Sequence, residues 1–293
     1  MRLYFVLATA VAALGLSGCK KNDYTIYALT DGGHVLTFNA GKSTTIDTDV
    51  QVTGLADTIA LTQIFYRPSS KVLYCTTTDS QLCTLDPSSG VVTVINSGTT
   101  TFLPTDVVPS DTTKLSDPVA AIDPINDQVR IIGKVSQSDD LNVLVNPDTG
   151  VAATLKQAVL VFASGDANDI DGTTPDLRSI VYDPPISGAG STTLFGIDET
   201  TGSLVRIGDE GAGSATSTAS PSNGQLHTIA KLSEGFSYAA LSIEAKNDDS
   251  YVALGTTSSS LYTIDLSSGA LSLINTIGDG SWIVTSLAIQ PDN

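Results

Sequence analysis

A strand–turn–strand pattern recurs along this chain and is clearest in residues 261–274, LYTIDLSSGALSLI. An apolar run is followed by Asp265, then by Gly269 four positions later, and then by a second apolar run. A short acidic or amide side chain caps such a turn, and glycine accepts the positive φ that closes it. Similar turns occur at 86–90, 146–150 and 198–202, with a degenerate copy at 39–41. The chain is therefore expected to consist of repeated β-hairpins.

The spacing of these turns predicts the size of the repeating unit. The glycines of the first and last copies, Gly41 and Gly269, are four steps apart, which gives a mean period of about 57 residues. That length suits one four-stranded β-propeller blade with its loops. No stretch shows a useful 3.6-residue periodicity, so helix is expected to be nearly absent.

A second recurring strand, expected to precede each hairpin, sets the number of blades. Its copies are found at 63–68, 119–124, 179–184, 241–245 and 286–291. The last copy has no hairpin after it, and the N-terminal hairpin at 24–38 has no such strand before it. Joining the two closes a ring and removes the exposed sheet edges. The sequence predicts an all-β, five-bladed β-propeller whose N- and C-terminal strands close the same blade.

Residues 24–293, which contain all the repeats, are expected to form one domain. Three linkers are longer than a turn, at 97–117, 163–176 and 209–223, but none separates blocks of different composition. The segment 210–222 is rich in Gly, Ser, Thr and Ala, a composition typical of a flexible connection.

The N-terminus carries the pattern of a bacterial lipoprotein. A single basic residue, Arg2, precedes an apolar stretch at 4–16 that is too short to span a bilayer comfortably. The stretch ends in Leu-Ser-Gly before Cys19, which resembles a lipobox. Residues 1–18 are therefore predicted to be a signal peptide, Cys19 the lipid anchor, and residues 19–23 a tether. Lys20 directs the prediction to the outer membrane, since lipoproteins kept at the inner membrane usually have Asp there.

The charge balance restricts the partners. The chain has 14 basic and 31 acidic residues, a net charge of −17. Without a basic patch, binding to nucleic acid is not expected. An acidic surface is repelled by anionic headgroups, so the expected contact with the membrane is the covalent lipid. The partner is expected to be a protein or a polysaccharide, and the sequence does not distinguish between the two.

Six short motifs follow one another along the chain: RP at 67–68, DQVR at 127–130, LVNPDTG at 144–150, GDAN at 165–168, TTLFGID at 192–198 and PSNGQLHTIA at 221–230. Together they resemble an uncharacterised bacterial family catalogued as domain of unknown function 4394. The resemblance runs from about residue 55 to residue 243 and is looser at Asp123, where the family tends to have Asn. It implies an exported, propeller-like protein and no particular activity.

Two cysteines, Cys75 and Cys83, flank the short loop 78–80. In a hairpin with that loop they face each other, at a separation that a disulfide can bridge. An oxidising periplasm would permit the bond. We expect a cross-strand disulfide, with two buried free thiols as the alternative.

Three carboxylates near the channel are the candidates for catalysis. Asp123, Asp183 and Glu244 end recurring inner strands, and in a ring they would approach one mouth of the channel. Glycosidases use two carboxylates, one to protonate the leaving oxygen and one to attack or to activate water. The competing interpretation is a turn beginning with Asp-Pro. Because Trp282 is the only tryptophan, aromatic sugar platforms are scarce.

An acidic loop provides the one candidate metal site. Asp166, Asn168, Asp169 and Asp171 precede Gly172. Calcium prefers such oxygen ligands, although the spacing departs from the EF-hand pattern. A solvated acidic loop is the alternative, and no other cofactor is expected.

These observations favour a lipid-anchored binding or scaffold module of the cell envelope. The alternative is a carbohydrate-active or lactonase-like hydrolase that uses Asp123, Asp183 and Glu244. Whether the chain is an enzyme is left open, with a non-enzymatic role preferred. No serine-hydrolase or phosphate-loop motif is present.

Overall fold

Five small β-sheets contain nearly all the regular structure of the chain. The computed structural model describes residues 24–98, 101–106, 116–136, 139–208, 220–247 and 249–290, so the predicted signal peptide and the predicted lipid anchor, Cys19, lie outside the described residues. Within the sheets the pairing is antiparallel except at one short edge strand.

The strands are numbered in chain order. The first blade contains β1 (Thr25–Thr30), β2 (His34–Asn39) and β3 (Ile46–Gln51), and the second contains β4 (Leu61–Arg67), β5 (Val72–Thr77), β6 (Leu82–Leu85) and β7 (Val92–Val94). The third blade contains β8 (Ser116–Asp123), β9 (Gln128–Ser136) and β10 (Asp139–Val145), and the fourth contains β11 (Val161–Phe162), β12 (Leu177–Asp183), β13 (Thr193–Asp198), β14 (Ser203–Ile207) and β15 (Gln225–Lys231). The fifth blade contains β16 (Tyr238–Ile243), β17 (Ser250–Gly255), β18 (Ser259–Ile264) and β19 (Leu271–Thr276), and the last strand, β20 (Val284–Ile289), returns to the first blade.

The ring closes through the two ends of the chain, as predicted. β20 pairs with β1, with Leu287 opposite Ala28 and Ala288 opposite Tyr27. The first blade therefore has the order β20-β1-β2-β3. The five recurring strands of the sequence are the inner strands β4, β8, β12, β16 and β20, each packed against the next around the channel. The fold is a five-bladed β-propeller.

The hydrophobic core is divided among the five interfaces between blades. One cluster of buried side chains lies between each pair of neighbouring blades, as sheet-on-sheet packing requires. Phe38 of the first blade and Leu261 of the fifth, for example, are fully buried in the cluster that closes the ring. Burial of one such side chain stabilises the fold by roughly 1.5–3 kcal/mol. Each blade is thus stabilised by its two neighbours.

Two blades depart from the expected four strands. The third has three strands, followed by an isolated bridge between Val145 and Ala152. The fourth has five, because β11 adds a parallel edge to β15. Phe102, from a loop, and Phe162, from the short strand β11, are buried in the core clusters on the two sides of the third blade.

Two of the predicted turns also differ. The turn at 198–202 joins β13 to β14, the second and third strands of its blade, whereas the other copies follow the third strand. Gly41 lies in a short 3₁₀ helix, Ala40–Lys42, in which Asn39 accepts a hydrogen bond from the Gly41 N–H. Glycines 90, 150, 202 and 269 have the expected positive φ. At Gly90 the glycine is also needed for space, because a Cβ would overlap the carbonyl oxygen of Gln51 in the first blade.

Helix is scarce, as expected. In the described part of the chain it is limited to three short 3₁₀ segments, Ala40–Lys42, Ile95–Gly98 and Pro221–Asn223. None of the helices among these residues has the length and apolar character needed to cross a membrane.

Candidate functional site

The channel has two mouths, and the sequence pointed to the one where the inner strands end. We call this the lower mouth, marked by Arg67, Asp123 and Asp183; the inner strands begin at the upper mouth, marked by Leu61, Leu177 and Tyr238. A narrow channel, with a volume of about 70 Å³, runs between the two mouths and is lined by the inner strands.

Two of the three candidate carboxylates are engaged in the turns that follow their own strands. Asp123 is 2% exposed, and one of its oxygens accepts hydrogen bonds from the backbone N–H groups of Ile125 and Asn126. Glu244 is 1% exposed and accepts from the N–H groups of Lys246 and Asn247. Both side chains therefore perform the turn-capping role that was the competing interpretation.

The third carboxylate, Asp183, ends β12 and is partly buried, and its peptide bond to Pro184 is cis. None of the three lines the channel or the larger cavity described below. The three carboxylates therefore do not share either of these two cavities. The aligned position in the second blade, Arg67, likewise has internal partners.

Arg67 joins the second and third blades at the lower mouth. Its guanidinium donates to Asp127 through Nε at 3.0 Å and Nη2 at 2.7 Å, and to Asp148 through Nη1 at 2.5 Å. Nη1 also donates to the Tyr74 hydroxyl at 3.0 Å. The hydrogen bonds from Arg67, together with one from Ser69, hold the pKa of Asp127 below its ordinary value despite partial burial. The network is structural, and it commits the Arg67 guanidinium to partners within the protein.

A second buried cation lies between the third and fourth blades. Arg130 is 1% exposed; it donates to the Tyr182 hydroxyl at 2.8 Å and to Asn142 and Gln157 at 2.6 and 2.7 Å. Burial raises the pKa of Tyr182 to about 12, so its hydroxyl stays protonated at neutral pH. This network was not predicted from the sequence, because its members are widely separated along the chain and do not share one motif.

The one large cavity described is at the upper mouth. It has a volume of about 710 Å³, within the range of small-molecule sites. Its floor is formed by the first residues of all five inner strands, and its wall by loops 30–33 and 51–60. Sequence analysis missed this mouth, since its residues come from loops without a repeated pattern.

Polar side chains line the floor, the wall and the rim of this cavity. Gln63 is only 7% exposed and lines both the cavity and the channel, so its carboxamide lies at the neck between them. Asp31 and Asp57 are exposed on the rim, and Tyr238 is half-buried in the wall.

The single arginine of the cavity is neutralised. Arg178 donates to Glu199 through Nε at 2.5 Å, and its Nη2 contacts Glu199 and Asp176. Lys134 approaches Asp176 at 3.9 Å. With two carboxylates beside Arg178 and two more on the rim, the cavity disfavours anions.

The predicted calcium loop is attached to the fourth blade. Asp166 accepts from the Thr228 N–H at 2.6 Å, the Thr228 hydroxyl at 2.7 Å and the Asn168 N–H at 2.9 Å. These hydrogen bonds outweigh burial and lower the pKa of Asp166. Asp169 accepts from the Gly165 N–H at 3.1 Å, and Asp171 is exposed. Across the described residues no group of three or more His, Cys, Asp or Glu is placed to hold a metal.

The two cysteines have the predicted register. Cys75 in β5 is directly opposite Cys83 in β6, with Cα atoms 5.0 Å apart, and the structure joins them in a disulfide. Both are fully buried in the cluster between the first and second blades.

Comparison with known proteins identifies the family and little else. A family model described as Domain of unknown function (DUF4394) matches residues 34–288, and the chain therefore belongs to this family. A search of curated proteins finds no match.

Solved structures give only remote similarities. A Bacteroides thetaiotaomicron protein of unknown function is 13% identical with a TM-score of 0.49, over 92% of this chain and 65% of that one. A Bacteroides caccae protein of unknown function is 11% identical with a TM-score of 0.43, over 92% and 100%. A chain of a nidogen/laminin complex is 13% identical with a TM-score of 0.47, over 91% and 98%.

Proposed function

We propose that this member of the family is a lipid-anchored binding module of the bacterial cell envelope, whose ligand occupies the upper-mouth cavity. The cavity is the observation that carries the proposal. It is formed by all five blades, it is of ligand size, and loops 30–33 and 51–60 surround it. A rigid scaffold that presents loops around a concave floor suits recognition.

Binding is favoured over hydrolysis by what the carboxylates do. A glycosidase needs two carboxyl groups free to act on one substrate. Asp123 and Glu244 instead accept backbone hydrogen bonds within their own turns, outside the cavity. The alternative of a carbohydrate-active or lactonase-like hydrolase therefore has less support.

The binding proposal is tested by filling the cavity. Ala60 is an exposed residue of the wall, so Ala60→Trp should obstruct the cavity without disturbing the core. Ala270→Trp, in an exposed turn of the fifth blade, is the matched control. The mature chain is immobilised and exposed to an envelope extract, and the bound material is analysed for protein and carbohydrate. Wild type and Ala270→Trp should retain the same material and Ala60→Trp should lose it; equal capture by all three would contradict the proposal.

The anchor and the outer-membrane location are supported by the lipobox-like sequence before Cys19 and by Lys20. More than one acyl chain is needed for stable attachment, which lipoprotein processing supplies. Cys19→Ala should move the protein from the membrane fraction to the soluble fraction and abolish incorporation of labelled palmitate. Retention of the variant in the membrane fraction would contradict the anchor. Sucrose-gradient separation of the two membranes tests the outer-membrane assignment.

A further inference from the structure

The carboxamide of Gln63 lies at the neck of the cavity and uses one of its two polar atoms in a hydrogen bond within the described residues. Its Oε1 accepts from the Ser286 hydroxyl at 3.1 Å. Its Nε2 has no hydrogen-bond partner among the described residues, and because it is not one of the fully buried unpaired atoms, it is accessible from the cavity that Gln63 lines. Although the residue as a whole is only 7% exposed, this N–H group is therefore available to donate to a ligand.

Other groups around Gln63 also have unused capacity. The Tyr238 hydroxyl in the wall and the Asp31 and Asp57 carboxylates on the rim make no hydrogen bond to the described residues. An amide donor, two carboxylate acceptors and a hydroxyl that can both donate and accept are complementary to a ligand that has donors and acceptors of its own. Hydroxyl groups meet this requirement, since each can donate and accept.

Charge and shape restrict the ligand further. Arg178 is committed to Glu199 and Asp176, so none of the described lining residues offers a free cation to an anionic ligand. The wall beside Gln63 contributes apolar side chains that suit the C–H faces of a sugar ring. The cavity narrows to the channel at Gln63, so it admits the end of a chain rather than its middle. The apolar wall residues are Val52, Leu55, Ile59 and Leu61.

We infer that the upper-mouth cavity binds the terminal unit of an uncharged saccharide, with Gln63 Nε2 donating to a sugar oxygen at the neck. This inference rests on the proposed function and specifies its ligand. Gln63 is a specificity-determining residue, Asp31 and Asp57 accept hydroxyl protons, and the rim carboxylates discriminate against uronic acids and sulfated sugars.

The test uses the mature chain and an array of neutral oligosaccharides with their uronic-acid counterparts. Gln63→Glu has nearly the same shape and retains an acceptor for Ser286, but replaces the donor at the neck with a carboxylate. Gln290→Glu is the matched control, because Gln290 is an exposed glutamine at the lower end of an inner strand, where it accepts from the Tyr27 hydroxyl at 3.0 Å. Circular dichroism and melting temperature verify that both variants are folded.

We expect wild type and Gln290→Glu to bind neutral glycans, and Gln63→Glu to bind the same glycans at least tenfold more weakly. Undiminished binding by folded Gln63→Glu would overturn the inference about the neck. Preference for the uronic-acid counterparts, or no binding to the array, would overturn the ligand class. If the saccharide inference fails in one of these ways but Ala60→Trp still blocks capture from the envelope extract, the proposed function survives. If Ala60→Trp leaves all binding intact, the proposed function fails as well.

Discussion

The Oγ atom of Ser286 accepts a hydrogen bond from the backbone N–H of Ile64 at 3.0 Å, across the boundary between the first and second blades. The same hydroxyl is 3.1 Å from the Ile64 carbonyl oxygen. Ser179 makes the equivalent contact between the fourth and fifth blades, accepting from the Leu241 N–H at 2.9 Å. The recurring strand motif thus provides not only the inner strands but also polar contacts between them.

Removal of the Ser286 hydroxyl should weaken this boundary. Ser286→Ala leaves the Ile64 N–H buried without its partner, which we expect to lower the free energy of unfolding by about 1–3 kcal/mol. Urea denaturation followed by circular dichroism measures the change. Ser272→Ala, at an exposed position of β19, is the control and should stay within about 0.5 kcal/mol of wild type. Equal stability of the two variants would show that the contact contributes nothing.

Loss of Arg67 should destabilise the lower mouth. Arg67→Ala leaves Asp127, Asp148 and Tyr74 without their shared donor. Breaking a buried ion pair costs about 3–5 kcal/mol, but both aspartates remain in contact with water, so we expect roughly 2–3 kcal/mol. Arg67→Lys should recover only part of this loss, because an ammonium cannot reproduce the fork geometry. Full recovery by lysine would mean that charge alone matters.

Acid should weaken the same network. The hydrogen bonds from Arg67 depress the pKa of Asp127 in the folded protein. The stability that these hydrogen bonds contribute is therefore present above the ordinary carboxyl pKa of about 3.9, and it is lost as the pH falls through the lower pKa of the folded state. The melting temperature of wild type should therefore fall between about pH 5 and pH 2, and that of Asp127→Asn should fall less. Asp47→Asn, at an exposed position of β3, should follow wild type. Parallel curves for all three proteins would contradict this assignment.

The cysteine pair should be oxidised in the exported protein. Alkylation of the unfolded chain without reductant should label neither Cys75 nor Cys83. The disulfide closes a loop with a sequence separation of 8, so its loss should cost at most about 2–3 kcal/mol by the chain-entropy relation. The double variant Cys75→Ala/Cys83→Ala should consequently fold with a reduced urea midpoint. Quantitative labelling of the wild-type thiols would contradict the disulfide.

The loop at Asp166 gives a prediction that separates hydrogen bonding from metal binding. Asp166→Ala removes the acceptor of the Thr228 and Asn168 bonds and should lower the melting temperature equally with and without calcium. Wild type should melt at the same temperature in chelator and in millimolar calcium. A rise with calcium that Asp166→Ala abolishes would instead support the calcium site.

The fold was largely predictable because the determining features repeat. The strand copy at 286–291 without a hairpin, and the N-terminal hairpin without a strand, indicated the closure that β20 and β1 form. The turn at 198–202 closes a hairpin as predicted, but between the second and third strands of its blade, because Asp-x-x-x-Gly chemistry closes a hairpin wherever it occurs. The third blade has three strands, because after β10 the chain makes only an isolated bridge between Val145 and Ala152 before it continues to β11.

The candidate site was less predictable for a related reason. Asp123 and Glu244 were conspicuous because they recur, and they recur because they cap turns. Gln63 belongs to the same repeated strand, but the cavity that it lines is completed by loop 51–60 and by Tyr238 from another blade. A cavity formed by non-repeated loops has no signature in one sequence.

The central claim, that ligand binds at the upper mouth, is tested most directly by hydrogen–deuterium exchange of the mature chain with and without the material captured from envelope extract. Binding at this mouth should slow exchange in residues 51–63 and 237–239 and leave residues 123–127 and 244–247 unchanged. Protection confined to 123–127 and 244–247 would place the ligand at the lower mouth, beside the carboxylates, and would contradict the account.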